Sequence, residues 1–520
     1  MHPYSKYFPA RTDDDGLDVI KLLHEGLSAD PERPILVFEG QEWRAARIGR
    51  LVADVQGALR RLGLSPGDRV GLMLGNTPFH VACIYALILL GAVWVPMNTR
   101  LKSAGLGYQL GHCRPKMVLA ESGYMELLSQ IGGEHPETKI LGADNLVEGG
   151  ARVEGDDLLM HDTGPGCPLC IIYTSGTTGA PKGVVFTHRM MRIASESALV
   201  VADVRAGDRL FLWEPLCHIG GAQMLLVPFL EAACLVMAPS FSASKFWAQI
   251  DDGRCTQLHY LGGILDILMR LPVPSGLAPK TLRLAWGAGV SASAWKPVRD
   301  RFGIELRECY GMTEGASFAT VNGADVPGSI GKPLPWLSVE LLDENDAPVA
   351  IGDLGQVVIS SKVEGNFFPG YLGNAEATAQ ALRGGKLYTG DMARADRDGN
   401  LYFVGRRTES MRVRGENVSA WEVERVFLEH AEVASAAAIG VESDIGEQEI
   451  LLYVQWKDDA HVSFDALAAW AQDRLATFQL PRYYRSIDRF ERTPSERIRK
   501  HLLPRDTLEA WDRKAALKLT

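Results

Sequence analysis

Long apolar runs are what this 520-residue chain most clearly lacks. The longest, roughly Val81 to Val95, is broken by Gly91 and is too short to span a bilayer. The opening residues, MHPYSKYFPARTDDDGLD, hold no apolar stretch of the secretory type, so a soluble, cytoplasmic protein is the expectation. An excess of positive charge is missing too, since 54 Lys and Arg face 64 Asp and Glu for a formal net charge of −10. Nucleic acid and anionic membranes therefore exert no global pull on the chain, and only local basic patches could hold phosphates. Cysteine is sparse, with eight in all and every one before Tyr310. Only Cys167 and Cys170 form a CxxC pair, and no second pair follows at zinc spacing. Reduced, mostly buried thiols are the expectation. The sequence also has no internal repeat and no low-complexity tract.

What is present is material for a large core: 46% of residues are hydrophobic and 23% charged. Residues 46–62, ARIGRLVADVQGALRRL, place apolar side chains at helical spacing, and Gly63 with the turn Ser65–Asp68 ends the helix. Arg69–Leu74 then reads as a buried strand, Val81–Leu90 as a helix and Ala92–Pro96 as a strand. Lys116–Leu119, Cys170–Tyr173, Cys234–Met237 and Thr281–Trp286 continue the alternation, which predicts layered α/β architecture with largely parallel sheets. From about residue 330 short strands such as Ser338–Leu342, Gly355–Ile359 and Leu401–Val404 are punctuated by Gly, Asp, Asn and Pro. The expected organisation is a large domain over residues 1–405, its β-rich subdomain at about 330–405, and a small α+β domain over residues 406–520. Within that last segment, helices at Ala420–Glu429 and Phe464–Ala476 flank strands at Ala434–Val441 and Glu449–Gln455.

The most informative stretch is Tyr173–His188, YTSGTTGAPKGVVFTH. A strand runs into a loop in which Thr174, Ser175, Thr177 and Thr178 offer hydroxyls, Gly176 and Gly179 let backbone N–H groups approach, and Lys182 adds a point charge. That is chemistry for phosphate. It differs from the nucleoside-triphosphate loop GxxxxGK[ST], because Gly183 follows the lysine. A polar surface loop is the plainer alternative.

TSGTTGAPKG closely resembles the signature loop of the adenylate-forming superfamily, which includes acyl-CoA synthetases, firefly luciferase and the adenylation domains of peptide synthetases. Further stretches resemble the family's motifs in the family's order: PLCHIGG at Pro215–Gly221, WGAG at Trp286–Gly289, YGMTEG at Tyr310–Gly315, YTGD at Tyr388–Asp391 and FVGRRTESMRVRGENVSAWEVE at Phe403–Glu424. The resemblance runs from about Leu17 to Pro504. It implies two half-reactions: a carboxylate attacks the α-phosphate of ATP to give acyl-AMP and pyrophosphate, and a thiol then takes the acyl group and releases AMP. Chemistry of this kind rests on in-line positioning and on stabilising phosphoryl charge.

By that resemblance His218 belongs to an acyl gate, and Gly287, Ala288 and Gly289 to an adenine loop. Glu308, Cys309, Tyr310, Gly311 and Met312 lead into the nucleotide site. There Tyr310 can stack on a purine, Thr313 can donate to the α-phosphate or the carboxylate, and Glu314 can hold Mg²⁺. Asp391 is placed to accept ribose hydroxyls, and Arg406 matches the family arginine that reaches the nucleotide. Arg412, Arg414 and Gly415 stand where related ligases approach the nucleotide or the pantetheine of coenzyme A. Between Arg482 and Lys500 seven basic residues face Asp488, Glu491 and Glu496, a patch suited to phosphates or an ordinary solvated face. The family hinge position, usually Asp or Lys, is Thr408 here. The usual terminal PTGK motif reads TPSERIRK, so Arg497 stands in the lysine's place with Lys500 one helical turn on.

GAGVSA at Gly287–Ala292, taken alone, also fits a dinucleotide fingerprint, with Glu305 and Glu308 as ribose acids. Its mid-chain position and its neighbours oppose that reading. Trp213, Glu214, His218, Tyr260, Trp286 and Cys309 are candidates for the acyl pocket, with Gly262 and Gly263 widening it. RGENVSAWEVE and SASKFWAQI look closest to the carnitine and crotonobetaine CoA ligase branch, and Trp213 with Glu214 could welcome a cationic acid. A medium-chain, alicyclic or aromatic acid is the alternative. The expected partners are a small carboxylic acid, ATP with Mg²⁺ and coenzyme A, with no nucleic acid and no integral membrane segment, and a homodimer is open. A carrier-protein-loading adenylation enzyme and a non-catalytic nucleotide-binding relative stand as competing classes.

Overall fold

The apolar spacing of residues 46–62 produces the helix Ala45–Arg61, whose Ile48, Val52, Val55 and Leu59 are buried. The next helix begins earlier than its apolar run suggests, at Pro78 rather than Val81. Thr77 caps it by accepting a hydrogen bond from the His80 N–H, and Pro78 supplies a backbone angle already suited to a first turn. The computed structural model describes residues 19–133, 135–148, 158–174, 180–272, 281–290, 292–406, 410–443, 446–457, 462–491, 498 and 500–516. The chain divides into two units, one of Met1–Thr99, Cys113–Ile172 and Gly183–Gly405, the other of Arg100–His112, Tyr173–Lys182 and Arg406–Thr520.

The first unit is built on three sheets. A six-stranded sheet runs in the order Lys139–Gly142, Met117–Ala120, Arg69–Met73, Val93–Pro96, Pro168–Thr174, Lys182–Thr187, and its first five strands are parallel. A nine-stranded sheet has a parallel centre, Glu305–Met312, Leu284–Ala288, Gln257–Leu261, Arg209–Leu212, Cys234–Met237 and Pro34–Phe38. Antiparallel strands close both of its edges. The strand expected at Thr281–Trp286 is shifted to Leu284–Ala288, because its register is set by pairing with Gln257–Leu261 and Glu305–Met312. The third sheet is antiparallel and contains Leu337–Leu342, Gly355–Ser361 and Lys386–Ala395, the β-rich texture read from the sequence.

In the second unit Val433–Glu442, Gln448–Trp456, Tyr483–Ser486 and Trp511–Asp512 form a four-stranded sheet over a small core that includes Ile439, Leu451, Tyr453 and Phe490. Ser410–Val413 and Glu416–Ser419 make a hairpin whose two turn residues, Arg414 and Gly415, both have positive φ, +52° and +78°. That is the twist-matched two-residue turn that favours glycine at its second position.

The helix His188–Val201 is buried at every position except Arg189. It carries an ion pair into the core, Arg192 Nε to Glu196 Oε1 at 2.9 Å, with both side chains nearly inaccessible. Glu196→Ala, which strips that carboxylate from a buried guanidinium, is expected to cost about 3–5 kcal/mol. Calorimetry should show a large fall in thermal midpoint, and the double replacement Arg192→Met/Glu196→Leu should recover most of it.

Candidate active site

The turn YGMTEG is shaped by backbone contact. Strands Glu305–Met312 and Ser317–Asn322 pair with an irregularity between Tyr310 and Gly311. There a Cβ on Gly311 would lie 1.8 Å from the Ser317 carbonyl oxygen, so only glycine fits. Thr313–Gly315 form one tight helical turn, and Ala316 and Ser317 follow with φ of +57° and +75°. Two consecutive non-glycine residues in that region mark stored strain, a common companion of functional sites.

The turn presents Thr313 and Glu314, both buried. Glu314 accepts a hydrogen bond from the Tyr371 hydroxyl at 2.7 Å, and its carbonyl accepts one from the Phe368 N–H. Asn366 Nδ2 donates to the Gly315 carbonyl. Tyr371 in turn bridges Val184 on the strand that follows the phosphate loop, flanked by hydrogen bonds from Val185 N–H to the Gly370 carbonyl and from Leu372 N–H to the Gly183 carbonyl. The segment 366–372 therefore ties the Glu314 turn to the strand leaving the phosphate loop. Sequence reading missed Tyr371; the loop PGYLG carries only a turn signal.

Tyr310 and Asp391 come together, with the phenol donating to Asp391 Oδ2 at 2.7 Å. Gly390, at φ +74°, makes the turn that sets Asp391, and Phe403 lies with its ring centroid 6.1 Å from that of Tyr310. The acidic and aromatic nucleotide candidates thus share one corner of the first unit.

Glu308 and Cys309 hold the backbone of the expected adenine loop. Gly289 and Val290 N–H groups and the Tyr260 hydroxyl all donate to the Glu308 carboxylate. The Cys309 thiol lies against the Gly287 carbonyl, and burial pushes its pKa well up. A Cβ on Gly287 would meet the Tyr260 carbonyl at 1.9 Å, so this glycine serves strand packing, not a pyrophosphate. The dinucleotide reading fails here: of its two ribose acids, Glu308 is spent on the loop's own backbone and Glu305 pairs with Arg307.

In the second unit one helix, Ser103–Cys113, holds both shoulders of the phosphate loop. Tyr108 donates to the Pro181 carbonyl, and His112 Nδ1 lies 2.8 Å from the Tyr173 hydroxyl. Thr174 ends one strand and Lys182 begins the next, both half-buried. Ser175, Gly176, Thr177, Thr178 and Gly179 lie outside the described residues, as do Thr408 and Arg497. Arg406 ends the strand Leu401–Arg406. Arg412 has its N–H on Gln448, Arg414 is exposed at the hairpin turn, and the Gly415 N–H is held by the Glu447 carboxylate. Lys500 Nζ contacts Glu424 Oε1 at 2.5 Å. The expected basic patch is partly internal: Arg482 pairs with Asp512, and Arg485 with Asp506 and Glu509.

At the acyl gate, half-buried His218 precedes the short helix Ile219–Ala222, and Met312 is half-buried. A Cβ on Gly221 would lie 2.7 Å from the Pro215 carbonyl, which explains that glycine. Trp213 does not present a cation-binding face with Glu214. Its indole N–H donates to the His259 carbonyl and its ring packs edge-on against Phe241 in the hydrophobic core.

Burial raises the Glu308 carboxyl from 4.5 to about 7, and the hydrogen bonds from Tyr260, Gly289 and Val290 only partly oppose it. Because the folded-state pKa is raised, the native protein binds the extra proton between those values. Stability from this group therefore falls as pH rises through that window, by up to about 1.4 kcal/mol per pH unit. Glu308→Gln should flatten the decline of thermal midpoint between pH 5 and 7; an unchanged slope would show that the group does not titrate there.

Residues 23–372 match the family model described as AMP-binding enzyme, and residues 422–497 match the AMP-binding enzyme C-terminal domain. A feruloyl-CoA synthase of Amycolatopsis is 31% identical over 470 residues, 88% of this chain and 92% of that protein. A crotonobetaine/carnitine–CoA ligase of Salmonella arizonae is 28% identical, covering 90% of this chain and 95% of its own. Among solved structures, an o-succinylbenzoate CoA synthetase of Bacillus subtilis superposes with a TM-score of 0.83 at 24% identity, over 94% of this chain and 98% of that one. The chain belongs to the AMP-binding enzyme family, as an AMP-forming acid–thiol ligase.

Proposed function

We propose that the chain converts one carboxylic acid, through its acyl-AMP, into a coenzyme A thioester, with the Tyr310–Glu314 turn and Asp391 as the nucleotide-holding centre. The observation that carries this reading is the joint fixing of Glu314 by Tyr371 and of Asp391 by Tyr310, the first in a motif whose Gly311 is dictated by backbone contact and the second beside Gly390 at φ +74°. Lys182 and the hydroxyls of the phosphate loop contact triphosphate oxygens; Thr313 orients the acid's carboxylate against the α-phosphate. One carboxylate oxygen of Glu314 is engaged by Tyr371, and among the described residues no three His, Cys, Asp or Glu side chains gather as metal ligands. A single carboxylate is enough for Mg²⁺ that arrives with ATP, because that ion keeps waters and phosphate oxygens as its other ligands. Glu314 would hold it, and the ion would neutralise charge on the triphosphate. Glu308 and Cys309 act as supports of the adenine loop, Arg406 and Arg412 as nucleotide contacts, and Arg414 and Gly415 as the turn offered to coenzyme A. We assign residues 406–520 as the mobile C-terminal domain.

Lys500 is engaged with Glu424 within its own unit, which favours Arg497 as the residue standing in for the usual catalytic lysine. Arg497→Ala is expected to slow acyl-AMP formation by a factor of about 10²–10³, the size of a lost charge contact to a transition state. Thioester formation from pre-made acyl-AMP should persist in the same variant. If Lys500→Ala gives that pattern instead, the assignment reverses. A panel of carboxylic acids scored for AMP release with and without coenzyme A tests the reaction itself. Turnover dependent on coenzyme A supports the ligase; accumulation of acyl-AMP despite coenzyme A points to carrier-protein loading; no acyl-AMP from any acid points to a non-catalytic relative.

A further inference from the structure

Glu214 lies two residues beyond the carboxyl end of the parallel strand Arg209–Leu212, and His259 and Trp286 are paired with each other two residues short of the carboxyl ends of Gln257–Leu261 and Leu284–Ala288. Ligands of open α/β sheets bind at that edge. The group is bracketed by two of the motifs above. On one side, gate residue Gly220 packs so closely on the Glu214 carboxylate that a Cβ there would lie 2.5 Å from Oε1. On the other, Trp286 leads directly into the adenine loop.

All three side chains are more than nine-tenths buried, and their polar atoms are not saturated. His259 Nδ1 lies 2.7 Å from Glu214 Oε2, yet the ring is misaligned and no hydrogen bond forms at that nitrogen. The Trp286 indole Nε1 is buried with no hydrogen-bond partner. The imidazole and indole centroids are 4.3 Å apart, and Phe318 meets the indole edge-on at 5.7 Å. Asn76 fixes the backbone beneath them by donating to the Glu214 carbonyl. Leaving buried donors and acceptors unmet costs free energy, a cost recovered when a ligand group meets them.

We propose that Glu214, His259 and Trp286 read a hydroxyl group on a ring-bearing carboxylic acid substrate. This rests on the ligase reading and adds the class of acid. The indole N–H needs an acceptor, while the imidazole–carboxylate pair can take a donated proton. A hydroxyl is both at once. A carbonyl oxygen could not donate, and a quaternary ammonium could do neither. The flanking faces and edges of Trp286, His259 and Phe318 suit a flat ring.

The test compares benzoate and cinnamate with their monohydroxy isomers, and with a trimethylammonium-bearing acid, by kcat/KM for AMP release in the presence of coenzyme A. One hydroxylated isomer should exceed its parent by about tenfold or more, since a site built to bond a hydroxyl discriminates against the analogue lacking it. His259→Phe and Trp286→Phe should each collapse that ratio towards one. His259→Gln, which keeps a polar atom near the imidazole position, should restore part of it. A purely structural role predicts lowered thermal midpoints with the ratio unmoved, which overturns the proposal. So does the absence of any hydroxyl preference, or a preference for the ammonium acid. Should the parent acids turn over without such preference, the ligase reading stands and only this inference falls; should no acid release AMP, both fall together.

Discussion

The contact between the Gly311 Cα and the Ser317 carbonyl decides the geometry of the nucleotide corner. Because no Cβ intervenes, the two strands close tightly there, and Ala316 and Ser317 beside them adopt left-handed backbone. Surrounding contacts hold the strained Thr313–Gly315 turn in one shape, among them the hydrogen bond by which Tyr371 pins Glu314 from outside. The triphosphate role proposed for Glu314 would gain from such fixing, since charge placed beforehand needs no reorganisation during reaction. The rest of the first unit can be seen as the scaffold that keeps this pair of strands in register at the edge of a nine-stranded sheet.

Much of this was legible in the sequence. Alternating apolar runs located the parallel strands because strands buried on both faces leave a continuous hydrophobic trace. The ordered motifs pointed to candidate residues because each carries residue types that phosphate, ribose or metal chemistry demands, and the fold brings Tyr310 onto Asp391 and holds Glu314 with Tyr371. Boundaries were less visible. The helix after residue 77 starts at its Thr-Pro cap, before the apolar stretch begins, and the strand at Leu284–Ala288 follows its neighbours' register rather than its own hydrophobicity.

Pairings across long separations left no trace. Glu214 and His259 are 45 positions apart, and Tyr371 and Glu314 are 57, so neither partner signals the other by spacing. Glycines misled in one place: Gly287 and Gly289 satisfy a dinucleotide fingerprint, yet one exists to clear the Tyr260 carbonyl and the other turns the chain at φ +96°. A glycine pattern records where backbone comes close or bends; it does not say which neighbour required it. Trp213 was similarly ambiguous, since a tryptophan beside a glutamate reads as a cation site until its ring is seen buried in a hydrophobic cluster.

Tyr108 and His112, one turn apart on the helix Ser103–Cys113, hold the two shoulders of the phosphate loop at Pro181 and Tyr173. Their rings stack with centroids 5.4 Å apart, so they behave as one rigid plate. Anchoring both ends of a loop to a single plate removes relative motion between the ends and leaves translation and tilt of the whole. A displacement of that helix would therefore act on Tyr173 and Pro181 together, as a carriage moves both of its wheels, and so on their neighbours Thr174 and Lys182, the two proposed phosphate contacts, whose spacing it would leave unchanged.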